Sequence, residues 1–263
     1  MEKRLAVLNS ISVILVIAVS YISQTGIING NTMGSLSAEY YNLFTPAGYA
    51  FAIWGIIFLG LLIFSGYQLY QAFGPKNDLD FLQKSGYWFF IANLANVFWV
   101  FTWLNEFTGL SVLLMFLILF SLIKMILNTN MERWDAPINI VAFSWWPICL
   151  YSGWIAVAAI ANVSAYLAKI GWDAPFFSEE ICTVFLIIIA GVINVAVIYF
   201  RNMREFAAVG VWALIAIYFR HFEEISLISY TALITAVIIF SNIIYHGWMN
   251  RKTNPMYKMM NRD

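Results

Sequence analysis

Long apolar segments with few charges alternate with short polar connections along almost the whole chain. A helix needs roughly 20 apolar residues to cross ~30 Å of hydrocarbon, so each such segment predicts a membrane-spanning helix. The pattern predicts an all-α, polytopic membrane bundle of eight transmembrane helices. The predicted spans are residues 5–24, 48–73, 82–104, 109–128, 138–168, 181–200, 206–219 and 226–249.

The seventh segment, AAVGVWALIAIYF, is short for a crossing and could instead be re-entrant or lie in the interface. The basic residues favour a crossing, because eight spans with a cytoplasmic N-terminus leave only Lys169 and Arg220 outside. The other basic residues then face the cytoplasm: Lys3, Arg4, Lys76, Lys84, Lys124, Arg133, Arg201, Arg204, Arg251, Lys252, Lys258 and Arg262. We therefore expect an integral protein of a bacterial inner membrane, with both termini cytoplasmic.

The polar connections suggest how the spans are grouped. The start, MEKRLAVLNSISVILVIAVS, resembles a secretory signal, but its full span length favours a retained anchor. The loop at 25–45 is rich in Asn, Gly, Ser and Thr and is long enough to fold over the mouth of a bundle. A second polar connection, at 169–180, predicts two membrane domains, residues 1–169 and 170–263, the latter with a basic cytoplasmic tail.

Composition narrows the function classes. The chain is 62% hydrophobic and 11% charged with a formal net charge of zero, so nothing indicates nucleic-acid binding. Cys149 and Cys182 lie in apolar segments without metal-site spacing, which favours buried inert thiols and predicts no metal site. No predicted span carries a charged residue near its middle, and no catalytic motif is evident. An enzyme is therefore the least favoured class, and no catalytic residue is predicted.

Polar and aromatic side chains share one face of the third predicted span. Asn93, Asn96, Trp99 and Trp103 fall within an arc of about 120° at 100° per residue. An amide in hydrocarbon needs a partner, so each Asn is expected to face another helix or a cavity.

The fifth span repeats this arrangement. Tyr151, Trp154 and Asn162 fall within about 80°, and Ala158 lies inside that arc. Two readings of both stripes stay open. They can be contacts between helices, in which each hydrogen bond of an Asn side chain contributes ~0.6–2 kcal/mol. Alternatively they can line a cavity, which suits a bulky indole beside Ala better.

Two prolines mark the predicted helices. Pro147 lies inside the fifth span and removes a backbone donor, so a kink and a freed carbonyl near Phe143 are expected. Pro46 is not expected to cause a kink, because it is interpreted as the first-turn proline of the second span in TPAGYAFAIW.

Three motifs occur together in order. They are P-x7-W (Pro46, Trp54), N-x-x-W (Asn96, Trp99) and Y-x-x-W-I-A-x-A-x-x-x-N (Tyr151 to Asn162). With these spacings the chain resembles the TspO / translocator-protein family, also called tryptophan-rich sensory proteins. The fifth-span motif is the most specific of the three.

The resemblance covers roughly residues 5–169 and implies a five-helix core with three further helices. It also implies a cavity under the first loop that binds flat apolar ligands such as tetrapyrroles or sterols, with no required cofactor beyond a possible porphyrin- or haem-like ligand. The family's W-x-P-P before the second span is LFTPA here, and its Pro-Tyr pair in the fifth span is Leu150-Tyr151. The predicted ligand-binding residues are Pro46, Tyr49, Phe51, Trp54, Asn93, Asn96, Trp99, Trp103, Tyr151, Trp154, Ala158 and Asn162.

Three functions follow as hypotheses. The first is a receptor- or sensor-type protein that binds a small apolar ligand in an aromatic pocket within the bilayer. The alternatives are a transporter or exporter of small amphipathic metabolites, in which the last three spans help to form a gate, and a regulatory protein that binds another membrane protein. A homodimer is compatible with all three.

Overall fold

The computed structural model describes residues 2–74, 79–172 and 176–251, and every regular element in these ranges is helical. Four basic residues assigned to the inner face, Lys76, Lys252, Lys258 and Arg262, lie outside the described residues. The helices are α1 (Glu2–Ile22), α2 (Met33–Glu39), α3 (Ile53–Phe73), α4 (Asp80–Ser85), α5 (Trp88–Leu104), α6 (Thr108–Asn128), α7 (Ile138–Ile140), α8 (Trp146–Lys169), α9 (Glu179–Arg201), α10 (Arg204–His221) and α11 (Ser226–Met249).

Six helical segments are long and apolar enough to cross a membrane. They are Glu2–Ile22, Gly48–Phe73, Thr108–Asn128, Ile138–Lys169, Glu179–Arg201 and Ser226–Met249. The α5 helix is apolar but shorter, and α10 is not among the six. A helical membrane fold is thus confirmed, whereas the count of eight crossings stays a prediction.

The third predicted span, 82–104, is not one helix. The α4 helix ends at Ser85, and α5 begins at Trp88. Between them Gly86 has a φ of 54°, a left-handed value that residues with a Cβ rarely adopt. The chain therefore leaves the helical conformation there, and the apolar segment that could cross begins at Trp88.

Both prolines lie where the backbone departs from α-helix. A 3-10 turn, Gly48–Ala52, precedes α3, so Pro46 lies before the second span rather than in its first α-helical turn. A π-helical turn, Val141–Trp145, joins α7 to α8 just before Pro147. This turn accommodates the backbone distortion that was predicted around Phe143.

The described residues form two compact units. Of these residues, the first unit contains 2–45, 52–74, 79–129 and 158–172, and the second contains 46–51, 130–157 and 176–251. The helix α8 contributes its first half to the second unit and its last half to the first. The predicted division into residues 1–169 and 170–263 stays a prediction.

In the first unit α1 packs against α3 and α5, and α5 packs against α6. Polar bonds accompany the apolar contacts, because the Asn9 amide donates to Gln68 Oε1 at 2.8 Å and the Asn93 amide donates to Ser12 Oγ at 2.9 Å. These four side chains are buried. Internal bonds of this kind are what allow amides to lie within an apolar bundle.

In the second unit α9, α10 and α11 pack against one another. Small residues set the closeness of these contacts. A Cβ at Gly191 would lie 2.6 Å from the Thr235 Cγ2, and a Cβ at Gly153 would lie 2.8 Å from the carbonyl oxygen of Phe206. The helix α10 is buried along most of its length by this packing, as its residues Phe206, Ala207, Val209, Gly210, Val211, Ala213, Leu214, Ala216 and Ile217 show.

Candidate functional site

The predicted residues are divided between the two units. The first unit holds Trp54, Asn93, Asn96, Trp99, Trp103, Ala158 and Asn162, and the second holds Pro46, Tyr49, Phe51, Tyr151 and Trp154. Each group is described within its own unit.

In the first unit the structure joins the third-span stripe to the fifth-span stripe. The indole N–H of Trp99 donates to Asn162 Oδ1 at 2.8 Å, and the Asn162 amide donates to Ser111 Oγ at 2.9 Å. Asn162 and Ser111 are buried. These three side chains, on α5, α6 and α8, form what we call the amide–indole group, and they fix the orientation of the Trp99 ring.

The other predicted residues of this unit lie on α3, α5 and α8. The rings of Trp99 and Trp103 are near parallel, with 6.3 Å between centroids and 20° between planes. Asn93 and Asn96 are buried on the same helix, and Asn93 Oδ1 has no hydrogen-bond partner among the described residues. Trp54 is half-buried on α3, and it stacks on Phe58 one turn further along, 5.1 Å between centroids. Ala158 is half-buried.

The first loop covers the end of α5 within this unit. Its short helix α2 is held by a capping box between Thr32 and Ser35. Leu36 of α2 is fully buried against the ends of α5 and α8, in a cluster formed by Leu36, Val100, Trp103, Leu104 and Ala165. The predicted folding of this loop over helix ends is thus seen in the first unit.

Three side chains outside the predicted set hold this loop, and we call them the first-loop clasp. The Tyr40 hydroxyl donates to Glu106 Oε2 at 2.6 Å, and the Lys169 ammonium donates to the Glu106 carbonyl oxygen and lies 3.8 Å from the same Oε2. The hydroxyl of Tyr40, then the Lys169 charge, hold the pKa of Glu106 below its ordinary value. Burial and the Glu106 charge raise the pKa of Tyr40.

In the second unit aromatic rings meet around the segment that precedes α3. Phe51 makes an edge contact with Trp154 at 5.6 Å between centroids, and Tyr49 makes one with Trp212 at 5.5 Å. The Trp212 indole also donates to the Ala50 carbonyl at 3.0 Å. We call Tyr49, Phe51, Trp154 and Trp212 the aromatic group of the second unit. Pro46 and Tyr151 are buried, and Tyr49 and Phe51 are exposed over more than a third of their surface.

Sequence reasoning missed Trp212, which lies in the weak seventh segment. The sequence feature that could have identified it is the single Trp among the small residues of AAVGVWALIA. Its position in α10 and the bond from Ala47 N–H to the Ala216 carbonyl tie the segment at residues 46–51 to α10. Helix α10 therefore contributes directly to the aromatic group.

A comparison with models of known protein families shows to which family the chain is related. The family model described as TSPO-like protein matches residues 6–245. The chain belongs to the TSPO-like family. The match runs beyond the expected 5–169 and includes α9, α10 and most of α11, so the TSPO-like region extends over the last three helices as well. No curated protein and no solved structure matches the chain.

Proposed function

We propose that this TSPO-like chain is a receptor- or sensor-type membrane protein that binds a flat apolar ligand, tetrapyrrole- or sterol-like, against its indole rings. The observation that carries the proposal is the amide–indole group together with Trp103. Because the Trp99 nitrogen is satisfied by Asn162, the ring face remains for apolar contact. Offset stacking on such a face suits a planar, apolar molecule.

The polar edge of the ligand would meet buried amides. Asn93 Oδ1 is buried and accepts no hydrogen bond from the described residues. A buried acceptor without a donor costs about 1–3 kcal/mol, so a hydroxyl or N–H group on a ligand would bind favourably there. Trp54, which lies in the same unit, supports the same chemistry, because it matches a pocket position of the TspO motifs.

The proposal is tested by tryptophan-fluorescence quenching with a porphyrin, titrated into the purified protein in detergent. Trp99→Phe, Trp103→Phe and Trp54→Phe, all in the first unit, are each expected to weaken binding. Losing an indole from an aromatic contact costs about 0.5–1.5 kcal/mol, which is roughly two- to twelvefold in Kd. A cholesterol-like sterol that displaces the porphyrin would widen the ligand class to sterols.

Trp248→Phe is the matched control, because this Trp is exposed near the end of α11 and pairs with Arg251. Its Kd should equal that of the unaltered protein. If binding is not saturable, or if the three test variants keep the unaltered Kd, the proposed ligand does not contact these rings.

A transporter of amphipathic metabolites is the second candidate. One observation favours it, namely the π-helical turn Val141–Trp145 that interrupts the long fifth span ahead of Pro147. Interrupted helices often form substrate sites in transporters. Uptake of a labelled amphipathic tracer into proteoliposomes that follows an ion gradient would favour transport, whereas saturable binding without uptake favours the receptor.

A further inference from the structure

Three potential metal ligands lie together in the second unit, apart from every residue used above. Glu132 is in the loop between α6 and α7, Cys149 is in the first turn of α8, and Glu205 is the second residue of α10. One carboxylate oxygen of each Glu and the Cys149 Sγ all lie within 4.8 Å of one another. We call these three residues the acid–thiol cluster.

The cluster is partly buried, with both Glu residues half-buried, and it is incompletely bonded. Cys149 is fully buried and forms no disulfide. Glu132 Oε1 and Glu205 Oε2 have almost no contact with solvent and no hydrogen-bond partner among the described residues. Arg204 attracts both carboxylates, but these two oxygens still lack a donor, and buried polar atoms normally have one. A cation between them would supply the missing interaction to both carboxylates.

The surrounding residues hold the three ligands in place. Asn202 donates to the Glu132 carbonyl at 2.6 Å, and Arg201 donates to the Met131 carbonyl at 2.9 Å. These bonds anchor the loop that carries Glu132 to the end of α9. The Trp146 side chain donates a hydrogen bond to Glu205. Outer contacts of this kind orient the ligands of metal sites.

We propose that Glu132, Cys149 and Glu205 form a binding site for a divalent transition metal, with Zn²⁺ as the best match. Zn²⁺ accepts both thiolate and carboxylate ligands, whereas Ca²⁺ and Mg²⁺ select oxygen ligands only. Three protein ligands leave a fourth position for water. Binding releases the Cys149 thiol proton to solvent, because the thiolate is the form that coordinates.

The geometry requires a small adjustment. Tetrahedral Zn²⁺ with bonds of about 2.0–2.3 Å places its ligand atoms about 3.3–3.7 Å apart. The ligand atoms lie within 4.8 Å of one another, so each pair must approach by at most about 1 Å to 1.5 Å. Rotation of the two Glu side chains provides this movement, and α8 and α10 can keep their positions.

Cobalt(II) titration of the full-length protein in detergent tests the site, because a thiolate bonded to Co²⁺ gives a near-ultraviolet charge-transfer band. One Co²⁺ per chain should produce this band, and one equivalent of Zn²⁺ should abolish it. Cys149→Ser should lose the band, while Glu132→Gln and Glu205→Gln should weaken Co²⁺ binding at least tenfold.

Cys182→Ser and Glu179→Gln are matched controls on α9, and both should bind Co²⁺ as the unaltered protein does. Thermal unfolding with and without Zn²⁺ provides a second measurement, in which Zn²⁺ raises the midpoint only where the cluster is intact. The proposal is overturned if the unaltered protein gives no thiolate band, if Cys149→Ser keeps it, or if both Glu→Gln variants bind normally.

Discussion

The first-loop clasp shows how single residues connect the first loop to the helices beneath it. Glu106 has a left-handed φ of 62° and receives bonds from Tyr40 at one oxygen and from Asn31 at the other, the latter at 3.5 Å. Asn29 and Asn31 also donate to the Leu104 carbonyl at the end of α5. One carboxylate thus bonds residues on both sides of α2, so its charge is expected to control how firmly the loop is held.

We predict that acidification releases this loop. The Tyr40 hydroxyl and Lys169 lower the pKa of Glu106, so ionised Glu106 stabilises the closed loop above its ordinary pKa. That stabilisation is lost as the pH falls through the lowered, folded-state pKa. Hydrogen exchange of the amides at residues 29–40, corrected for the intrinsic pH dependence, should therefore accelerate in acid.

Glu106→Gln removes the charge while keeping the shape. This variant should exchange faster than the unaltered protein at neutral pH and should show a weaker corrected pH dependence. Glu180→Gln, an exposed residue of α9, is the control and should behave like the unaltered protein. Equal exchange in Glu106→Gln and the unaltered protein at neutral pH would mean that the clasp does not hold the loop.

At the scale of elements, close packing between α8 and α10 depends on one small residue. A Cβ at Gly153 would lie 2.8 Å from the Phe206 carbonyl oxygen and 3.1 Å from the Val209 Cβ. Two of the three nearest atoms belong to the backbone, so a side-chain rotation cannot relieve the overlap. The two helices would have to separate.

We predict that Gly153→Ala destabilises the protein by about 1–3 kcal/mol, the usual cost of overpacking. Thermal or chemical unfolding in detergent would measure it. Gly55→Ala in α3 is the matched control, because a Cβ there meets nothing within 4 Å. Since Ala is the better helix former by up to about 1 kcal/mol, the control should be neutral or stabilising. Equal stability of the two variants would contradict the close contact.

The sequence identified elements more reliably than the contacts between them. Predicted spans at 48–73, 109–128 and 226–249 agree with observed helices to within a residue or two, because length and hydropathy decide them locally. The break at Gly86 was missed, since one glycine in an apolar segment does not reveal its φ. The Trp99–Asn162 bond was within reach, as both residues lie on predicted polar faces.

Contacts between residues that are far apart in the sequence could not be predicted. Nothing in the sequence links Trp212 to Ala50, which is 162 positions away, or brings Glu132 and Glu205 to Cys149. The first-loop clasp was missed for the same reason, because Glu106 and Lys169 read as ordinary loop charges. Such residues can be found only once the packing of the helices is known.

At the scale of the whole molecule, the side of the membrane on which the last segments lie depends on whether α10 crosses it. It has 18 residues, about 27 Å at 1.5 Å per residue, and charged residues at both ends. Its weak hydropathy has a structural reason, because α9 and α11 cover much of its surface and spare it from lipid. A helix shielded in this way needs less apolar surface, so we expect α10 to cross the membrane.

We predict that the loop after α10 is external and that the end of α11 is cytoplasmic. In a Cys149→Ser/Cys182→Ser background, Glu223→Cys should react with a membrane-impermeant thiol reagent in intact cells, and Asn250→Cys only after lysis. If α10 instead lies in the interface, every later segment is on the opposite side of the membrane. Asn250→Cys should then react in intact cells, and Glu223→Cys only after lysis. Labelling of both positions from the same side would instead mean that α11 does not cross the membrane. Arg251, just after the end of α11, favours the first result, since basic residues concentrate on the cytoplasmic face.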